Sequence, residues 1–84
     1  MKVIFTKLAK RKFRFLREIG WSFKPDDIKK VLEEPTKVGL GYSGTKTALI
    51  SIDANHNLLV VYSEEDDIIK IVTFYPVKKG RYES

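Results

Sequence analysis

The chain contains no cysteine and a single histidine, His56. The first absence excludes disulfides, a thiolate nucleophile and any cysteine-held metal. The second excludes, within one chain, a histidine metal cluster or a two-histidine acid–base pair. No apolar run approaches the roughly 20 residues of a membrane-spanning helix. Lys7, Lys10, Arg11 and Lys12 interrupt the stretch where a signal peptide would be apolar. The expected address is therefore the cytoplasm, with no membrane partner. Low-complexity segments, linkers and internal repeats are missing as well, and 84 residues predict one domain over 1–84. A chain this short buries only about 60–65% of its unfolded surface. A large enzyme pocket enclosed by the chain alone is thereby excluded, and any active site is expected to be a shallow surface groove or to be completed by a partner.

What is present is a globular composition, 43% hydrophobic and 32% charged. Sixteen basic residues stand against eleven acidic ones, a net charge of +5 that favours an anionic partner.

Val3, Ile4 and Phe5 predict an opening strand. Thr6 is placed to N-cap a helix over 7–19, ended by Gly20. Phe5, Leu8, Ala9, Phe13, Leu16 and Ile19 fall near one stripe of it, and Lys7, Lys10, Arg11, Arg14 and Arg17 mostly on the other side. Trp21-Ser22-Phe23 is a connector whose rings are expected against the core. Pro25 opens a second helix, Asp26 and Asp27 complement its dipole, Ile28, Val31 and Leu32 form its buried stripe, and Pro35 ends it. A short extended segment over 36–42 and strands near 45–53, 58–63 and 68–75 follow, with Pro76 expected to stop the last. Ser43-Gly44, the Ala54–Asn57 segment and the acidic Glu64-Glu65-Asp66-Asp67 tip are the turns. A basic tail is expected from about residue 77. The order β-α-α-β-β-β(-β) predicts an α+β fold of two layers, two helices on one face of an antiparallel sheet. The opening strand joins an edge or pairs with a central strand.

Along the last strand, alternation places Ile69, Ile71, Thr73 and Tyr75 on one face and Ile68, Lys70, Val72 and Phe74 on the other. Helices cover one face only, so Val72 and Phe74 or their counterparts are expected to be exposed. Such a face would suit a homodimer or an antitoxin-like partner.

Five short motifs recur together here. They are Thr6-Lys7-Leu8-Ala9 at the strand–helix junction, the acidic-to-Glu34-Pro35 second helix and Leu58-Leu59-Val60-Val61-Tyr62. An acidic turn then leads to Ile71-Val72-Thr73-Phe74-Tyr75-Pro76, and Arg81-Tyr82 follows. In this layout the chain resembles the RelE/ParE toxin superfamily, most nearly a group of small uncharacterised RelE-like domains. Relatives often carry His where this chain has Leu8, and Arg-Gly-Ile where it has Trp21-Ser22-Phe23. The resemblance implies a ribosome-associated, metal-independent mRNA endoribonuclease without a cofactor, in which a ribose 2′-oxygen attacks the neighbouring phosphorus. That step needs a base, cations for the phosphorane charge and an acid. By this likeness the catalytic candidates are Arg81, Tyr82 and Lys46, with Lys78 and Lys79 beside the first two.

From the residues alone, Lys10, Arg14 and Arg17 line one edge of the first helix at i, i+4, i+7, extended by Lys7 and Arg11. Such a stripe binds RNA phosphates through positive potential and reach. Its alternative is a solvated helix face, as the alternative for Lys78 and Lys79 is a solvated tail. A non-catalytic RNA- or ribosome-binding relative and a protein-interaction module are therefore the other two readings. Phe15 is off the buried stripe and is expected under the following loop, with a partly exposed stacking platform as the alternative. His56 is expected in a solvent-exposed turn. The acidic tip lacks the spacing and glycine of a calcium loop, and Gly39, Gly41 and Gly44 do not make a phosphate loop.

Overall fold

The computed structural model describes residues 2–80. The elements are β1 (Lys2–Phe5), α1 (Lys7–Glu18), α2 (Pro25–Glu33), β2 (Lys37–Leu40), β3 (Lys46–Ser51), β4 (His56–Glu65) and β5 (Ile68–Lys78). They form the expected two layers, an α+β fold with both helices on one face of a five-stranded sheet of order β1-β5-β4-β3-β2. The sheet is mixed rather than antiparallel, because β1 joins the edge of β5 in parallel. The remaining pairs are antiparallel.

Local signals set both helices. Thr6 caps α1, its Oγ1 accepting from Ala9 N–H at 3.2 Å while its hydroxyl donates to Val72 C=O at 3.0 Å, so one side chain ties the helix start to β5. Gly20, at φ 99°, ends α1. Its N–H reaches Arg17 C=O, and Trp21 N–H reaches Leu16 C=O at 2.8 Å, the paired bonds of a left-handed helix cap. At α2, Pro25 takes the first helical position and Asp27 Oδ2 accepts from Lys24 N–H at 2.8 Å. In the turn between β2 and β3, a side chain at Gly41 would collide with Thr45 Oγ1.

α1 packs on β5 and β1, and α2 on β3 and β4. Between helices and sheet lie Ala9, Leu16, Ile28, Val31, Ala48, Leu58, Val60, Ile71 and Phe74. Phe74 is fully buried, its ring 4.6 Å from that of Phe13 and 6.3 Å from that of Phe23.

That position overturns the simple alternation expected of β5. Val61 pairs with Thr73 but Tyr62 pairs with Ile71, so Val72 is an extra residue opposite no partner. A bulge of this kind absorbs one residue and resets the two-residue period. Ile69, Ile71 and Phe74 thereby all face the helices, while Thr73, Tyr75 and Val77 face away. Leu49, Leu59 and Val77, with Tyr75 against them, form a second small cluster on the open face, at 3–6% exposure. The open face thus hides its central apolar residues within its own side-chain layer, contrary to the expected exposure of Phe74. Ile4 and Ile68 are the large hydrophobics exposed at its β1 end. Pro76 does not stop β5 but lies inside it, opposite Leu58. β1 pairs with β5 only as far as Ile71, so among the described residues no strand lies on the outer side of β5 at Pro76 and the missing N–H breaks no ladder of theirs.

Candidate functional site

Of the residues assigned to RNA, Lys7, Lys10, Arg11, Arg14 and Arg17 are all exposed on α1. At 3.6 residues per turn, Lys10, Arg14 and Arg17 share one flank, and Lys7 and Arg11 form the ridge beside it. Arg14 makes an i, i+4 pair with Glu18, 3.5 Å apart and solvent-exposed, which leaves its charge largely available to a partner. Two residues expected on the buried stripe are not buried: Leu8 is 56% and Ile19 59% exposed. With Lys12 and the 55% exposed Phe15 they make a second stripe at i, i+4, i+7, i+11. It lies about 180° around the helix from the Lys10 flank. α1 rides over the outer side of β5, so its core stripe is narrow and Leu8 and Ile19 fall outside it.

This second stripe walls a cleft of about 450 Å³ against the ends of β4 and β5, lined by Lys12, Phe15, Trp21, His56, Tyr75 and Lys78 among others. The Lys12 ammonium lies 5.5 Å from the Phe15 ring centroid and 5.7 Å from that of Tyr75. The Gly20 cap turns the chain so that Trp21 meets His56 edge-on, 5.0 Å apart, and stacks on Phe23 at 5.8 Å. His56 is the first residue of β4, half-buried and not the exposed turn residue expected. Its Nδ1 lies 3.0 Å from Asp53 Oδ1. A carboxylate only accepts, so His56 Nδ1 donates to it. Asp53 itself is held below its ordinary carboxylate value, chiefly by the N–H of Asn55, with His56 adding to the effect against slight desolvation.

Lys78 pairs in register with His56 and is exposed, as is Lys79, whose N–H bonds Asn55 C=O. Both are therefore anchored at the sheet end rather than carried on a tail from residue 77. Lys46 is elsewhere. It pairs in register with Tyr62, six residues along β4 from His56 and so about 20 Å from Lys78. There its Nζ donates to Glu64 Oε1 at 3.2 Å. Arg81 and Tyr82 lie outside the described residues.

Sequence reasoning missed Phe15, Trp21, Tyr75 and His56 as one cluster. Its signal was the spacing of Leu8, Lys12, Phe15 and Ile19, a second apolar stripe beside the core stripe. No family model matches the chain, and comparison with curated proteins and with solved structures returned no match. Among the described residues no helix is long and apolar enough to cross a membrane.

Proposed function

We propose that the chain is a RelE-like domain that binds single-stranded RNA, free or on the ribosome, without cleaving it through the residues described. The observation that carries the reading is the surface of α1. Lys7, Lys10, Arg11, Arg14 and Arg17 all remain in solvent while the core is built from the helix's other side. A helix that presents five cations over three turns meets the spacing of a phosphate backbone by reach alone. The resemblance to the RelE/ParE superfamily supports RNA as the anion. It also implies a cleavage step for Arg81, Tyr82 and Lys46. Lys46 is paired with Glu64 about 20 Å from Lys78, so it shares no site with that lysine. A homodimer or antitoxin-like partner across the open sheet face is the weaker proposal, since Leu49, Leu59 and Val77 leave it little apolar area to cover.

The test is fluorescence anisotropy with a labelled single-stranded RNA across a salt series. Replacing Lys10, Arg14 and Arg17 with Gln is expected to weaken binding and to reduce the log–log salt slope by about 2 units, at roughly 0.7 per phosphate contact. Unchanged affinity and slope would show the stripe to be a solvated face. Intact product RNA after incubation is expected, and specific cuts would restore the nuclease reading.

A further inference from the structure

We propose that the cleft between α1 and the β4–β5 end holds one unpaired nucleotide of the RNA, its base on Phe15 and its phosphate on Lys78 and Lys12. The inference rests on the RNA reading and adds a site that the basic stripe does not contain.

Three observations converge on it. Phe15 is a large aromatic ring left 55% exposed in the wall of the cleft, so a flat apolar face is offered to a partner there. Cations and rings alternate along the wall: Lys12 stands over both Phe15 and Tyr75, and Lys78 neighbours His56, whose ring meets Trp21. A groove of aromatic platforms set among cations is the general solution for unpaired nucleic acid, because every base has a π-face and every nucleotide a phosphate. Finally, the volume of about 450 Å³ falls in the range of a small-ligand cleft.

The Lys12 ammonium occupies the face of Phe15 in the free protein. An exposed cation–π contact is weaker than base–aromatic stacking, so an arriving base displaces the ammonium. The four-carbon stem of Lys12 lets the charge move to the phosphate of the same nucleotide. Asp53 holds His56 by Nδ1, and the held ring supports Trp21 as the cleft's end wall. The cleft lies on the flank of α1 opposite Lys10, Arg14 and Arg17, so the two can be tested independently.

The experiment compares an eight-nucleotide uridine RNA with an abasic oligomer of the same length, for wild type, Phe15→Ala, Phe15→Trp and Lys78→Gln. Phe15 is half-exposed, so the variants should fold, and circular dichroism with thermal melting checks this. Wild type is expected to bind the base-bearing RNA roughly 5- to 100-fold more tightly than the abasic one. Phe15→Ala should erase that preference and leave the salt slope unchanged. Phe15→Trp should keep it, and Lys78→Gln should lower the slope by about 0.7. If both oligomers bind alike and Phe15→Ala changes nothing while the triple α1 variant loses affinity, the cleft proposal falls and the RNA reading stands. If wild type binds neither oligomer, both fall.

Discussion

Two single residues carry effects that the structure makes specific. Phe74 is fully buried between Phe13 and Phe23 at the centre of the helix-facing layer. Phe74→Ala removes that ring and leaves a cavity lined by rigid strands and helices, so a loss of about 3–5 kcal/mol is expected in urea unfolding. Had it faced the open side, as alternation alone implies, the cost would be far smaller. Asp53 is the second. Its carboxylate accepts from Asn55 N–H at 2.7 Å and from His56, and its affinity for a proton is lowered below the ordinary 3.8. A depressed carboxylate contributes stability that is present above its unfolded value and lost as pH falls through its folded value. The turn over residues 53–56 should therefore hold down to pH 3.8 and loosen only below it. The Asn55 amide resonance is expected to titrate with a midpoint below that value, and Asp53→Asn should abolish the titration. A midpoint at or above 3.8 would contradict the hydrogen-bonded turn.

At the scale of elements, β5 is the informative one. Its first part has Ile69 and Ile71 inward and its second has Phe74 inward, an odd spacing that a regular strand cannot satisfy. The bulge at Val72 resolves it, and the Thr6 hydroxyl bonded to Val72 C=O pins the bulge to the start of α1. Deleting Val72 should leave Ile71 and Phe74 on the same face of a now regular strand. The protein should fold, weakened by about 1 kcal/mol for the lost hydrogen bond. Deleting Lys70 instead joins Ile69 directly to Ile71 and drives one of them to the open face, so cooperative unfolding should be lost. Circular dichroism and urea melts of the two deletions distinguish the cases. Equal damage from both would mean that Val72 is not the extra residue.

For the whole molecule, the net charge of +5 is distributed, not packed into the core. Lys7, Lys10, Arg11, Arg14 and Arg17 are exposed, and among the described residues the one ion pair of Lys10, Arg14 and Arg17 is the surface pair of Arg14 with Glu18. Neutralising those three residues should change stability by no more than about 0.5 kcal/mol, the worth of such a pair. Any loss of RNA affinity in the triple Gln variant is then a loss of contact and not of fold. A melting temperature that falls by many degrees would instead assign the stripe a structural role.

The sequence by itself determined the elements and their layers. Thr6, Gly20, Pro25 with Asp26 and Asp27, and the turn residues between strands act through bonds and torsions within a few residues, so they are readable in order along the chain. The exposed cations of α1 were readable for the same reason, since helical spacing alone sets the sides of a helix. Three things were decided only in the tertiary structure. The parallel placement of β1 depends on which free edge the folded sheet offers. The inward turn of Phe74 depends on a bulge that reconciles β5 with its partner β4. The cleft of Phe15, Trp21, His56, Tyr75 and Lys78 joins residues from a helix, a connector and two strand ends, which no local period relates. Contacts between residues distant in sequence are chosen by packing, and packing exists only once the layers meet.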